Sequence, residues 1–375
     1  QVVIGSPGSG GRPETFAISC GGATVNMSAT TPRKIVVCTD IGHDCDDFVF
    51  LLLALALHKA SVLDILCIAT VSQNNLARAR FVTWQCEKQG VTGIPIIAVD
   101  RETATSKRSG QALNGCLPVW DWCLDEGGDT YVLKEDSAPL PVPTLQPETF
   151  VAQTIRQRCD ESGLVTLFMI GPGVVPELFS GCEDKIEAIF FQGIKDDEAS
   201  FNFGSDWEAY QAIEAWSRGL SVPRYFLGKH TAYATQLTQL QLAQIADANR
   251  DFPFLMALQL GIAPFRDADR EMFYKLYPLP KGKESLAAMP SEELAWFKVM
   301  SQSSAMYDLT CLIAFLFCGR ENMPYAVTTD RNTDFSIGAE THDVQLPLEA
   351  YLEGVTELLQ LAVKGSGREE FENVL

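Results

Sequence analysis

The chain has 375 residues, of which 46% are hydrophobic and 21% are charged, and its formal net charge is -19. This length and composition are ample for a large core and fit one big α/β domain or two ordinary ones. A strongly negative chain repels nucleic-acid phosphates and anionic lipid headgroups, so we expect neither nucleic acid nor a membrane as partner. The longest apolar run, 48–57, is shorter than the ~20 residues of a membrane-spanning helix and predicts a buried helix.

The eleven cysteines are an odd number, and no two of them have C-x-x-C spacing. Cys38, Cys67 and Cys311 lie inside apolar runs, where a thiol behaves as a small hydrophobic group. We therefore expect neither a disulfide framework nor a zinc site. A reducing intracellular compartment is favoured, either the cytoplasm or an organelle reached after N-terminal processing.

Residues 1–32 are rich in Gly, Ser, Thr and Pro and predict a flexible N-terminal arm. Its glycine-rich stretch, 5–11, lacks the Gly-Lys-Ser/Thr ending of a phosphate-binding loop. No further linker is evident, so a single domain is predicted over 33–375.

From residue 34 onwards, short apolar runs alternate with helical patterns. Uninterrupted apolar strands separated by helices indicate a parallel sheet that is covered on both faces. We therefore predict a doubly wound, mostly parallel α/β sheet with helices on both faces and functional loops at the carboxyl ends of its strands. The predicted strands are 34–39, 62–71, 96–99, 164–170, 186–192 and 224–227, and the predicted helices are 48–57, 76–89, 147–159, 174–180, 206–217 and 309–317. Residues 100–146 and 247–300 are predicted to be excursions from this pattern.

Four aspartates, at positions 40, 44, 46 and 47, lie between the first predicted strand and the first helix. One or two acids at a helix N-terminus satisfy backbone amides and interact favourably with the helix dipole. Four exceed that need, because like charges repel, and a hard cation with oxygen ligands would compensate them. The spacing does not match an EF-hand loop. The pattern predicts a metal site, and an unrelated metal-dependent phosphatase with an Asp nucleophile is one class that fits it.

The same segment resembles the amino-terminal signature of nucleoside hydrolases, in which a strand is followed by Asp-x-Asp-x-Gly-x-Asp-Asp and an apolar helix. Here the segment reads KIVVCTDIGHDCDDF from Lys34 to Phe48. Cys38 stands in place of the first Asp, and the loop is two residues longer than the shortest version. Asp46 and Asp47 are matched to the terminal Asp pair, and the register that would use Asp44 instead is left open.

Further landmarks of the family follow in the same order, so that the resemblance covers about residues 33–365. They are IGPG from Ile170, IFFQG from Ile189, FN from Phe201, DWEA from Asp206, KHTA from Lys229 and YDLTC from Tyr307.

The resemblance implies a calcium site formed by Asp40, Asp47, Asp308 and the backbone carbonyl of Ile170. Cleavage of an N-glycosidic bond passes through an oxocarbenium-like ribosyl cation that water attacks. Asp40 is then the candidate general base for that water. The residues implied to contact the ribonucleoside-like substrate are Asp46, Asn202, Asn74 (or Gln73, depending on the alignment) and His230.

Two departures concern the ribose and leaving-group side of the implied site. Tyr307 stands where a His precedes the distal Asp, and Ser200 stands where a Glu precedes Phe-Asn. Tyr is a poor acid at neutral pH, so Tyr307 would either protonate the departing base or stack on it, with His43 and His230 as alternative acids. The sequence therefore leaves two hypotheses. One is a Ca²⁺-dependent hydrolase of ribonucleosides or related ribosyl compounds, expected as a homo-oligomer. The other is a non-catalytic structural or binding subunit of a larger assembly.

Overall fold

The computed structural model describes residues 19–20, 23–24, 32–41, 46–101, 143–159, 163–228, 306–317, 334–335 and 348–375, and the single residues 232, 237, 241 and 245. Gln1–Pro32 form one unit and Arg33–Leu375 another. In the first unit, strands β1 (Ser19–Cys20) and β2 (Ala23–Thr24) pair antiparallel. The prediction of a flexible arm falls almost wholly outside the described residues and stays a prediction.

The second unit is built on one sheet whose described strands all pair in parallel. The strands are β3 (Arg33–Thr39), β4 (Leu63–Thr70), β5 (Ile96–Val99), β6 (Leu145–Gln146), β7 (Val165–Met169), β8 (Ile186–Gln192), β9 (Arg224–Leu227) and β10 (Asp334–Phe335). The order across the sheet is β10-β9-β8-β7-β3-β4-β5-β6. The chain therefore winds outwards from β3 in one direction and then from β7 in the other, as a doubly wound fold does.

The helices agree with the predicted ones except in three regions. The predicted helix 174–180 is a single 3₁₀ turn, Pro176–Phe179, which Gly181 with φ +79° follows closely. The short helix Phe201–Ser205 and two C-terminal helices were not predicted. The α-helices are α1 (Asp46–Lys59), α2 (Asn75–Lys88), α3 (Thr149–Arg158), α4 (Phe201–Ser205), α5 (Trp207–Gly219), α6 (Tyr307–Phe317), α7 (Leu348–Lys364) and α8 (Arg368–Val374).

Two hydrophobic cores lie on opposite faces of the sheet because successive strand side chains alternate between faces. In β3, Ile35 and Val37 face a core that includes α1, α6 and α7. Val36 and Cys38 face the other core, which includes α3 and α5. Helix α1 is apolar on all sides after its first two residues, and this accounts for its burial between the sheet and α6 and α7.

At the amino-terminal edge of the sheet, two arginines that begin strands bind groups of neighbouring helices. Arg224, the first residue of β9, donates to Glu214 of α5 at 2.9 Å, and both are 6% exposed. Arg33, the first residue of β3, donates to the Phe315 carbonyl at 2.7 Å, and its guanidinium lies 3.4 Å from the Phe315 ring centroid. These contacts tie helices α5 and α6 to the starts of two strands.

The cysteines and helices bear on two of the expectations from sequence. Six of the described cysteines are buried and form no disulfide, and burial raises the pKa of the Cys38 thiol to about 12. They are Cys38, Cys67, Cys86, Cys159, Cys182 and Cys311. A thiol so buried is inert and neutral, as a core residue is.

Among the helices that the structure describes, none combines the length and the apolar character needed to cross a bilayer.

Candidate metal centre

The winding of the sheet reverses between β3 and β7, and the loops that follow these two strands meet closely. The amides of Ile170 and Gly171 both donate to the Cys38 carbonyl, at 2.9 and 3.1 Å. A Cβ atom at Gly171 would lie 2.7 Å from the Asp40 nitrogen, so only glycine allows this approach. The crevice at such a reversal is where doubly wound folds bind ligands.

Three carboxylates gather at this rim. Asp46, Asp47 and Asp308 each offer an oxygen within 4.8 Å of the others, and each residue is at most 4% exposed. Helices α1 and α6 pack against one another, and all three acids lie in their first turns. The packing of these helices therefore brings together acids that are about 260 residues apart in the sequence.

The cluster fits a hard divalent cation. Two oxygens on opposite sides of a calcium ion lie about 5 Å apart, since Ca–O distances are ~2.4 Å. The three carboxylates meet that limit and supply only oxygen donors, which suit calcium or magnesium. Two helix N-termini offset part of the negative charge, but three buried like charges still repel each other strongly.

Asp47 is held in place by the end of the neighbouring strand. Thr39, the last residue of β3, donates its hydroxyl proton to Asp47 Oδ1 and accepts from the Ile41 amide at 3.1 Å. The Asp47 amide in turn donates to Asp46 Oδ1 at 3.0 Å. This chain of hydrogen bonds fixes the acids of the first turn relative to the sheet.

The carbonyl of Ile170, predicted as the backbone ligand, lies directly after β7 and is fixed by Asn202. Asn202 is buried in α4, and its side-chain amide donates to the Ile170 carbonyl at 2.8 Å and to Gln192 Oε1 at 2.7 Å. Asn202 therefore orients a group at the site, whereas its predicted contact with the ribose stays a prediction.

The three-carboxylate cluster contains Asp47 and Asp308, which were predicted as ligands, together with Asp46. Asp40 is buried directly after β3, and its backbone carbonyl accepts from Arg78. Its roles as metal ligand and general base remain predictions, as does the contact of Asp46 with ribose.

The remaining predicted substrate residues are only partly described. Asn74 precedes α2, is exposed and has φ 56°, and Gln73 is half-buried beside it. His230, His43 and Asp44 lie outside the described residues.

The two departures from the family pattern have different surroundings. Tyr307 is half-buried at the start of α6, next to Asp308 in sequence. Ser200 is buried, and its hydroxyl accepts from the Ile194 amide at 2.8 Å. Ser200 thus closes the turn after β8.

Sequence reasoning missed two buried polar residues of α2. Arg78 is fully buried and donates to carbonyls of the loops after β3 and β4. Asn75 donates from its side-chain amide to Val99 O at 2.8 Å and Arg101 O at 2.7 Å, at the end of β5. The available signal was the position of Arg78 one turn before Phe81 and Val82, on the apolar face of the helix.

No protein-family model matches the sequence, and no curated protein matches it significantly. Solved structures do match in fold. The effector protein XOO4466 has a TM-score of 0.61 and 13% identity, covering 89% of this chain and 95% of that one. The type III effector protein XopQ, solved with adenosine diphosphate ribose, has a TM-score of 0.61 and 14% identity, covering 91% and 95%.

An inosine-uridine preferring nucleoside hydrolase from Bacillus anthracis matches with a TM-score of 0.51 and 13% identity, covering 88% of this chain and 99% of that one. With the parallel sheet order, these matches confirm the predicted fold class. The chain has a nucleoside hydrolase-like α/β fold, which extends over almost all of the enzyme that it matches.

Proposed function

We propose that this protein binds Ca²⁺ at the three-carboxylate cluster and hydrolyses the N-glycosidic bond of a ribonucleoside or a related ribosyl compound. One observation carries the proposal: Asp46, Asp47 and Asp308 converge, buried, at the rim where the sheet reverses its winding. The Ile170 carbonyl ends the adjacent strand and is the proposed backbone ligand.

A bound divalent cation would supply the Lewis acidity that makes water a nucleophile at neutral pH. The protein's own groups would do the rest. The clustered carboxylates stabilise positive charge that develops on the ribosyl ring, because they are preorganised in a site of low exposure. Asp40, which is buried directly after β3, is the proposed base, and Asn202 keeps the Ile170 carbonyl oriented.

The proposed substrate class is a compound with a free ribose. Carboxylates accept hydrogen bonds from the two adjacent hydroxyls of ribose, and the same hydroxyls can chelate a cation. XopQ was solved with adenosine diphosphate ribose, and the Bacillus anthracis enzyme prefers inosine and uridine, so both similar folds support a ribosyl ligand. The nature of the leaving group is left to the experiment.

A second function is supported by Ser200. Its hydroxyl is bonded to the Ile194 backbone in the turn where the family pattern has a Glu that grips ribose. With Tyr307 in place of the acid His, the leaving-group side is altered while the acid cluster is kept. The alternative is therefore a protein that binds a ribosyl ligand without cleaving it, as a subunit of a larger assembly.

The test uses the full chain with inosine, uridine, nicotinamide riboside and ADP-ribose, in calcium or in chelator. We expect release of the free base or of ribose in calcium, detected by chromatography, and its loss in chelator. Asp47→Ala should abolish both cleavage and calcium binding by titration calorimetry, since it removes a carboxylate ligand while a helix N-terminus tolerates the change.

The outcomes separate the two functions. Calcium-dependent binding of a riboside without cleavage, together with a native mass that includes a partner, would establish the non-catalytic alternative. Absence of both calcium binding and riboside binding would reject both proposals.

A further inference from the structure

Arg78 joins the two loops that border the acid cluster. Its side chain is fully buried, and Nη1 donates to the carbonyls of Asp40 and Ile41, the latter at 2.8 Å. Nε donates to the Gln73 carbonyl at 2.7 Å. One guanidinium therefore holds the ends of the loops after β3 and after β4 together.

The loop after β4 contains backbone conformations that hydrogen bonds from Arg78 would stabilise. Ser72 has φ 91° and Asn74 has φ 56°, so the Gln73 carbonyl that Arg78 binds lies between two residues in unfavourable conformations. Ser72 is 2% exposed, and within the described part of the chain its hydroxyl has no hydrogen-bond partner. Strain and an unsatisfied buried hydroxyl together are typical of a functional loop rather than of a connection.

The segment after β3 connects Arg78 to the cluster. Thr39 bonds Asp47 through its side chain, and the next two residues bond Arg78 through their carbonyls. The Val71 amide also donates to the Thr39 carbonyl at 3.0 Å. A shift of this segment would therefore move an acid of the cluster and the loop after β4 at the same time.

We propose that Arg78 is a positioning residue that couples cation binding at Asp46, Asp47 and Asp308 to the conformation of the loop after β4. The inference rests on the proposed function, because it requires the cluster to bind a cation. Arg78 would act through the backbone, since its guanidinium donates to the carbonyls of Asp40, Ile41 and Gln73. Its planar fork reaches three carbonyls, whereas a lysine is a point charge that cannot span all three.

The test compares calcium affinity in the full chain and in two variants. Arg78→Lys should weaken calcium binding about 10-fold, within the range found when groups that orient metal ligands are changed. The matched control is Arg224→Lys, which alters another buried arginine at the opposite edge of the sheet and should leave calcium affinity unchanged. Unchanged affinity in Arg78→Lys would overturn the inference while leaving the proposed function intact.

A second measurement needs no variant, in case Arg78→Lys does not fold. Amide hydrogen exchange of the unaltered chain is followed with and without calcium. We expect calcium to slow exchange at residues 71–75, which contribute no acid to the cluster, as well as at 39–41. Protection confined to 39–41 and the acid-bearing helices would overturn the coupling. If the unaltered chain bound no calcium, the proposed function and this inference would both fall.

Discussion

Buried charges are arranged in opposite ways at the amino-terminal edge and at the carboxyl rim of the central sheet, where its strands begin and end. At the amino-terminal edge, Arg224 and Glu214 neutralise one another at 2.9 Å. At the carboxyl rim, three acids of the same sign lie within 4.8 Å of each other. The first arrangement pairs opposite charges, and the second places like charges where a cation would compensate them. We therefore expect changes at the amino edge to alter stability and changes at the carboxyl rim to alter cation binding.

The backbone shows the same division. Four described residues other than glycine have positive φ, and three of them, Ser72, Asn74 and Asp196, follow the carboxyl ends of β4 or β8. Such conformations cost about 1–3 kcal/mol each and persist where the surroundings enforce them. Since strain is concentrated at the rim, changes there should alter binding more than changes at the other edge do.

The largest expected effect lies at the amino edge. Glu214→Ala removes one partner of a buried ion pair and leaves Arg224 buried without its carboxylate, which typically costs about 3–5 kcal/mol of unfolding free energy. Urea denaturation measures the loss. Glu208→Ala, an exposed acid of the same helix, is the control and should change stability by under about 0.5 kcal/mol. A loss of less than about 0.5 kcal/mol for Glu214→Ala would contradict this difference between the amino edge and the carboxyl rim.

The same kind of change at the rim should act in the opposite direction. Asp308→Asn keeps the shape of the side chain but removes one of three repelling charges, so without metal the variant should be more stable by about 1 kcal/mol. In calcium, the unaltered protein should gain stability and the variant should not, because affinity falls on the order of 100-fold with the lost ligand charge. Thermal denaturation with and without calcium measures both. A destabilised variant that still responds to calcium would contradict the prediction.

The sequence predicted the sheet far better than it predicted the details of the rim. Strands such as 96–99 and 186–192 were predicted to the residue, because buried parallel strands are continuous apolar runs. The two-residue strands β6 and β10 are too short to show a pattern. The proximity of Asp46 to Asp308 depends on the packing of α1 against α6, which no local sequence pattern reveals. The role of Arg78 was hidden because its partners are carbonyls, which no sequence pattern marks.

A third variant, Gly171→Ala, tests the close approach of the loops after β3 and β7 at the carboxyl rim. In Gly171→Ala, the new Cβ would lie 2.7 Å from the Asp40 nitrogen and 2.9 Å from a Thr39 backbone atom, so the loops must move apart. Overpacking of this kind costs about 1–3 kcal/mol. Calcium affinity should fall as well, because Thr39 positions Asp47.

The matched control for that variant is Gly219→Ala at the end of α5, where a Cβ would meet nothing within 4 Å. It should be neutral or stabilising by up to about 1 kcal/mol, since alanine restricts the unfolded chain. Chemical denaturation and calorimetric titration of both variants provide the comparison. Equal stability of the two variants would mean that the loops are not in contact as described.

The smallest expected effect concerns pH at the amino edge. His58, near the end of α1, accepts at Nδ1 from the Ile65 amide at 3.1 Å, at the start of β4. Burial lowers the pKa of His58 below its ordinary value of 6.5, and the nearby Asp64 opposes this only in part. Because the folded pKa lies below the unfolded one, the contribution of neutral His58 is present above about pH 6.5 and is lost as the pH falls.

The test compares the unaltered protein with His58→Gln, in which an amide oxygen can accept the same bond without titrating. The unaltered protein should therefore lose about 1 kcal/mol or less relative to this variant between pH 7.5 and pH 5.5, in line with one hydrogen bond. Parallel pH profiles of unfolding free energy for the two proteins would show that the pKa of His58 is the same in the folded and unfolded states, and would contradict the prediction.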